Sequence, residues 1–374
     1  MMIKGVLCLD LGGNMRFKRL AALVLAGALC LTSLVGCGVK ADETAATLGE
    51  QKVTAGVVNF ICKYIKIAYD DTYVGLLGED FWGKDLYGYG STMEEDLKGY
   101  VMDYVHELYT LKAHKADYKV EITADEEAAI KKAAAAFITA NSAEAIEELG
   151  ATEDIVVEML TLYTINSKMY EVIGAEADHN VTDEEANMRG ITLVEIGIQG
   201  EYNDKGTYVK YTDDEIKAIK TKASLIATSA ANVGLEKAAK DNGYTATDTA
   251  YSKTDTSMDK TLLAALNALS VGETSKVIET TSALYIAKID EETDKKATEE
   301  NREAIIAERE AAKYKEVLTK WQKDDGWKVN DSVVERIDFH NILTSTDPNK
   351  KDTQKTESTE KTQSTEKTES TENK

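Results

Sequence analysis

The sequence predicts a mainly helical α+β protein, with a helical lobe accompanied by one small α/β domain. Three observations carry this expectation. Apolar residues return at three- and four-residue spacing through most of the body, as they do on helices with one buried face. Two short runs, 191–198 and 283–289, are rich in β-branched and aliphatic residues and read as strands. The single proline, Pro348, lies beyond the body, so no proline between about 40 and 345 interrupts a helix.

The elements follow in order. Ala46 to Val53 is a short lead-in, and Thr54 opens a helix with Val57, Ile61, Ile65 and Ala68 on one stripe. A loop rich in glycine and aromatics comes next, holding Phe81, Trp82, Tyr87 and Tyr89. The helix expected over 92–118 repeats Leu97, Tyr100, Val101, Tyr104, Val105, Leu108 and Leu111 on its inner face. Thr123 and Glu126 have capping-box spacing for a third helix running through Ala133 to Phe137. Residues 152–175 give a fourth, with Val156, Met159, Leu160 and Tyr163 inward. These four form the helical lobe, 46–180.

From about 181 the pattern changes. Thr182 with Glu185 caps a short helix, and Ile191 to Ile198 is the first strand; Gly200 and Asn203 to Gly206 turn the chain. Thr212 with Glu215 opens a long helix from Asp213 towards Ala231. Gly234 interrupts it, and Leu235 to Lys240 is a second short helix stopped by Asn242-Gly243. Residues 244–257 are polar and turn-like, 260–269 is helical, Val271-Gly272-Glu273 is a turn, and Ala283 to Ile289 is the last strand. The domain closes near 293. A long helix, Thr298 to Lys323, and a closing segment with Trp327, Val329 and Val333 to Phe339 fill 294–345 and are expected to pack back on the lobe.

The two ends differ from the body. Arg16, Lys18 and Arg19 precede the uncharged apolar run Leu20 to Leu31, which ends in small residues; these are the marks of an export signal, with Met15 the better start. The run is shorter than the about 20 residues a comfortable membrane span requires. Leu34-Val35-Gly36-Cys37 resembles the lipobox of bacterial lipoproteins. That resemblance implies cleavage after residue 36, a diacylglycerol on the Cys37 thiol, and anchoring at the outer face of the cell membrane. Two acyl chains hold a protein there stably where one does not. Residues 1–36 hold Lys4, Arg16, Lys18 and Arg19 against Asp10, so the remainder carries a charge of −25, three more negative than the whole chain's −22. Such a surface disfavours nucleic acid and anionic lipid as partners and suits neutral or basic polypeptides. With Cys37 lipidated only Cys62 remains, within an apolar helix, which leaves no intramolecular disulfide and a packing role for Cys62. Residues 346–374 are built almost wholly of Thr, Glu, Lys, Ser and Gln, too polar to bury enough surface to offset ordering, and read as a disordered tail.

The domain order and several words within it resemble the parvulin domain of the PrsA/SurA foldases. Gly-Leu-Glu-Lys-Ala-Ala-Lys-Asp-Asn-Gly at 234–243 is similar to the second parvulin helix, Leu269 to Thr280 to the segment before the last strand, and Leu284 to Ile289 to that strand. PrsA and SurA also place a helical lobe before the domain and one long helix after it. The resemblance implies a membrane-anchored folding factor that binds unfolded exported polypeptides and needs no cofactor or metal. It also implies two histidines lining a dry pocket, where rotation about a prolyl bond, with its barrier near 18–20 kcal/mol, is accelerated. Here Thr192 stands where the first histidine is expected, in Arg189-Gly190-Ile191-Thr192-Leu193-Val194, and Tyr285 where the second is, in Ala283-Leu284-Tyr285-Ile286. The Gly-Gly-Asp-Leu-Gly word common in parvulins is missing from 244–257, and His106, His114, His179 and His340 all lie outside the strands. Thr192 and Tyr285 have two readings: partners in a hydrogen bond within an altered site, or strand residues packing a barrel-like sheet.

Other chemistry finds no support. Asn203-x-Lys205-Gly206 would put a cation at a calcium-ligand position and Thr212 where a bidentate carboxylate belongs. No glycine-rich phosphate loop precedes a helix, no His/Cys cluster has metal spacing, and no serine nucleophile has a histidine partner. Acidic runs at Asp125–Glu127 and Asp183–Glu185 sit in first helical turns, where they suit the helix dipole. Three function classes follow: a chaperone with a degenerate isomerase domain, an active isomerase with an altered site, and a solute-binding or adhesion lipoprotein. The last would show two lobes of repeated strand–helix units, and the strands are too few. For the first, Phe81, Trp82, Tyr87 and Tyr89 are candidate client contacts; the competing reading is a small core beneath their loop.

Overall fold

The computed structural model describes residues 28–30 and 39–346, with side chains over 39–343. Apart from residues 28–30, the expected export signal lies outside the described residues, as do Cys37 and nearly all of the polar tail. The chain divides into two compact units, one formed by the segments up to Ala175 and from Lys313 onward, the other by Glu176–Ala312. The architecture is α+β and mainly helical, as expected.

In the first unit the lead-in is a β-hairpin, β1 (Thr44–Leu48) and β2 (Gln51–Thr54), turned at Gly49. α1 (Ala55–Tyr69) follows directly, and its last turn runs on as a π-helical turn over Asp70–Val74. A single buried stripe was expected on α1, yet Ala55 to Lys63 are all buried while Ala68 is exposed. The helix is central, walled by neighbours on every side, so its apolar residues need not keep to one face. α2 (Met93–His114), α3 (Ala124–Ala140), α4 (Ala143–Leu149) and α5 (Glu153–Gly174) complete the helices before the second unit. α2 and α3 start in full capping boxes, Thr92 with Glu95 and Thr123 with Glu126. α4 was not foreseen in the sequence; Ser142 caps its start and Gly150, with φ of 60°, ends it after about two turns, too few for a periodic signal.

In the second unit α6 (Asp183–Ala186) leads into β3 (Arg189–Gly197). A projecting ribbon, β4 (Gly200–Tyr202) and β5 (Tyr208–Lys210), precedes α7 (Asp213–Val233) and α8 (Leu235–Asp241). Then come β6 (Ala246–Tyr251), α9 (Lys260–Asn267), β7 (Ile278–Glu279) and β8 (Ala283–Glu291). The four main strands form one open antiparallel sheet in the order β6-β3-β8-β7, and the expected barrel-like closure is absent from the described residues. The expectation of a turn over 244–257 is corrected: 246–251 is the edge strand. Its Thr247, Asp248 and Thr249 are all exposed, so no apolar alternation marked it, and a charged edge also resists pairing with other chains.

Alternation splits the sheet's side chains between two cores. Val194, Ile196, Leu284 and Ile286 face α7 and α8, against Ala223, Ile226, Leu235 and Ala239. Ile191, Ala287 and Ile289 face α9, with Tyr251, Leu262 and Leu266. On that second side Arg189, almost wholly buried, donates from Nη1 to the Tyr251 hydroxyl (2.8 Å) and the Leu266 carbonyl (3.1 Å), and from Nη2 to the Leu269 carbonyl (2.9 Å). One guanidinium thereby ties β3 to the end of α9.

α10 (Lys295–Gln322) is one continuous helix that belongs to both units. The expectation that all of 294–345 packs on the helical lobe is corrected for its first half. There Asn301 donates to the Ala186 carbonyl, and Arg302 and Arg309 bind the segment 178–185. Its last turns put Tyr314 and Leu318 into a core with Leu111, Ile165 and Met169 in the first unit. The chain then adds β9 (Trp327–Val329) to the free side of β1, makes the short turn α11 (Asp331–Val334), and buries Val333, Val334, Ile337, Phe339 and Leu343 in the main core.

Candidate functional site

The two positions expected to carry histidines are brought into one sheet but not to one place. Thr192 lies directly across from Asp248 on β6 and Lys288 on β8, on the side covered by α7 and α8. Tyr285 lies across from Glu195. Residues 192 and 195 are an odd number apart on the same strand, so their side chains point to opposite faces. Thr192 and Tyr285 therefore share no hydrogen bond. Reading single strands, one at a time, could not reveal this, because the relative register of β3 and β8 decides it.

Each position has its own partners. Thr192 is 2% exposed and its hydroxyl donates to Asp290 Oδ2 at 2.7 Å, with Asp248 Oδ1 a second oxygen at 3.1 Å. Lys288 closes the group by donating to Asp290 Oδ1 at 2.6 Å, and that bond raises the lysine's pKa above its ordinary value. Tyr285 is half-buried; its hydroxyl donates weakly to Glu195 Oε1 at 3.3 Å, and its pKa is raised by burial first and by the neighbouring Glu195 second. Neither group holds the paired imidazoles a parvulin pocket is expected to use. The carboxylates of Asp248 and Asp290 were missed in the sequence, since one lay in a segment read as a turn and the other just past the expected end of a strand.

The four aromatic candidates of the first unit separate into two pairs. Phe81 and Trp82 lie in a 3₁₀ turn, Glu79–Gly83, and are buried, with ring centroids 4.5 Å apart. Tyr87 and Tyr89 are exposed and stack on each other at 6.2 Å and 19°. Leu76, Leu77 and Leu86 are exposed in the same stretch. Asp85 holds this tip by accepting backbone N–H bonds from Gly88, Tyr89 and Gly90, which also lower its pKa. An exposed apolar and aromatic tip of this kind is a surface able to meet a polypeptide.

Trp82 belongs to a buried polar network. Asp70 Oδ1 accepts from Trp82 Nε1 at 2.7 Å, and its Oδ2 accepts from the Leu343 amide at 2.9 Å and from the Lys66 ammonium. Lys66 is 1% exposed and also donates to the Asn341 carbonyl at 2.7 Å. The i, i+4 spacing of Lys66 and Asp70 within an apolar helix was the available sequence signal.

What these features define is a class: an α+β chain with a helical unit that presents an exposed aromatic tip, joined to a small antiparallel-sheet unit with polar positions in its sheet. No known protein family matches the chain, and no curated protein does. Among solved structures it is similar to the foldase protein PrsA from Lactococcus lactis, at 15% identity and a TM-score of 0.32, over 79% of this chain and 97% of that one. It is also similar to the peptidylprolyl isomerase PrsA from Bacillus cereus, at 18% identity and a TM-score of 0.31 over 66% and 91%, and to PrsA from Streptococcus pneumoniae, at 17% and 0.30 over 67% and 97%.

Proposed function

We propose that this chain is an extracytoplasmic folding factor, anchored at the outer face of the cell membrane by lipid on Cys37, that binds unfolded exported polypeptides without turning over prolyl bonds. The observation that carries the second half is the placement of Thr192 and Tyr285 on opposite faces of the sheet, each already engaged by carboxylates. A pocket that lowers an amide-rotation barrier needs its polar groups converging on one dry site. The binding half is supported by the exposed aromatic tip around Tyr87 and Tyr89 and by the net charge of −22, which suits neutral or basic clients. The anchor rests on the lipobox-like sequence before Cys37.

The test pairs two assays on the soluble chain from residue 38 onward. The expected outcome is no acceleration of cis/trans exchange in a proline-containing peptide, together with suppressed aggregation of a client whose folding has no slow proline step. Replacing Tyr87 and Tyr89 by Ala should weaken that suppression while the fold stays intact. Peptide turnover would instead mean an isomerase with an altered site, and failure in both assays would remove the folding-factor reading.

A further inference from the structure

A cavity of about 560 Å³ opens in the first unit between the end of α2, the loop that follows it, α3 and the first half of α5. Its floor is aliphatic, built from Ile122, Ile130, Val157 and Ile165, with Thr161 beside them. Ile130 and Ile165 are buried, whereas Ile122, Val157 and Thr161 are only half-buried. Two cores meet at this place. Ile130 belongs to the main core and Ile165 to the smaller one with Leu111 and Met169, while Ile122 packs against both. The seam between them leaves apolar surface open.

Ion pairs between helices brace the walls. Lys112 of α2 donates to Glu158 of α5 at 2.6 Å, and Lys168 of α5 donates to Glu126 of α3 at 2.9 Å and to the Glu121 carbonyl at 2.8 Å. A cleft held in this way exists before any ligand arrives, and its volume lies in the range of small binding pockets. The rim also carries Lys115 and Glu121 on one side and Glu127 and Lys131 on the other. Among the described residues, none of these four side chains has an ion-pair or hydrogen-bond partner. With Lys112 and Glu158 counted, three lysines face three glutamates, in a chain whose net charge is −22. The chain as a whole repels acidic partners, whereas this rim is balanced and offers both signs.

We infer that this cleft binds an extended polypeptide segment that inserts aliphatic side chains (Val, Leu or Ile) onto the floor and carries flanking residues of both charges to the rim. The floor has no aromatic ring, so aliphatic shape and apolar area decide what it takes. The mixed rim favours a peptide, which brings both signs, over an anionic amphiphile, which would meet three glutamates. The inference rests on the folding-factor reading and deepens it, naming a class of client segment. The cleft shares no residue with the tip at Tyr87 and Tyr89.

The test uses the soluble chain from residue 38 and a fluorescent peptide, Lys-Ser-Leu-Val-Leu-Ser-Glu. Saturable binding is expected by anisotropy, and the same peptide with serine in place of its aliphatic residues should not bind. Thr161→Phe fills the cleft from a half-buried position and should weaken binding by about tenfold or more, the scale on which an apolar pocket discriminates, with the thermal melt unchanged. Tyr87→Ala with Tyr89→Ala should leave this binding intact. No binding by the unaltered chain, or binding that Thr161→Phe does not weaken, overturns the inference. If Thr161→Phe fails to fold, Lys115→Glu with Lys131→Glu decides: preference should shift to a peptide with lysine at both ends, and an unchanged preference overturns the inference. Suppressed client aggregation without peptide binding would remove the cleft alone, and peptide binding without that suppression would remove the folding-factor reading and leave the cleft.

Discussion

Removing either partner of the Lys66–Asp70 pair should damage the first unit far more than removing both. Both side chains are about 1–2% exposed, so each carries a charge with almost no access to water. Burial pulls the Lys66 pKa below its ordinary value, and Asp70 is the main influence pulling it back. In Asp70→Asn the ammonium keeps only the Asn341 carbonyl, and one face of the new amide presents N–H groups to other donors. In Lys66→Met the carboxylate keeps the Trp82 and Leu343 N–H groups but loses its countercharge. An unpaired buried charge costs about 3–5 kcal/mol. For a folded unit in the range of 150–250 residues, each kcal/mol lowers Tm by about 2–4 °C, so each single variant should melt about 6–20 °C lower. The double variant buries no charge, and contacting residues show coupling of about 0.5–3 kcal/mol; its loss should fall short of the sum by an amount at the top of that range. Thermal melts followed by circular dichroism, with tryptophan fluorescence, to which Trp82, Trp321 and Trp327 contribute, as a second probe, measure all four chains. Single losses below about 1 kcal/mol that simply add would refute the reasoning, since the pair would then be wet or replaceable.

Two further outcomes follow from other buried groups. Glu107 accepts a 2.6 Å hydrogen bond from Tyr314, yet burial raises its pKa above 4.5. The folded state then holds this proton more tightly than the unfolded one, so the stabilisation is complete below pH 4.5 and is lost as pH rises through the raised folded value. Glu107→Gln should flatten that slope in pH-dependent melts of the first unit; an unchanged slope counts against the assignment. Cys62 is fully buried, with its thiol pushed up to about 12. At pH 8 its labelling by a disulfide reagent should be about a thousandfold or more slower than that of a free thiol, and should reach full speed in urea. Fast labelling of the native chain would mean that α1 opens readily.

Much of this architecture was legible in the residues. Thr123 with Glu126, Thr182 with Glu185 and Thr212 with Glu215 each form the capping box their spacing announced. Gly234, at φ of 85°, separates α7 from α8 where the sequence broke. Such features are local, fixed by hydrogen bonds and backbone angles within a few residues, so a linear reading reaches them. The strands 191–198 and 283–289 were visible because both are rich in β-branched and aliphatic residues, which bury on the two faces of the sheet.

What tertiary structure alone decided is everything that depends on a distant partner. β6 is a strand because β3 offers it a hydrogen-bonding edge, although its own residues are mostly polar. Thr192 and Tyr285 face apart because of the register between β3 and β8, and a one-residue change would have reversed that. Phe81 and Trp82 parted from Tyr87 and Tyr89 because Trp82 is covered by Phe339 of the closing segment, more than two hundred residues later, and Phe81 packs against Trp82 and Tyr73. Local sequence determines which conformations the backbone prefers. Which side chains meet is set by burial and pairing among segments far apart in the chain, an energy that no single stretch contains.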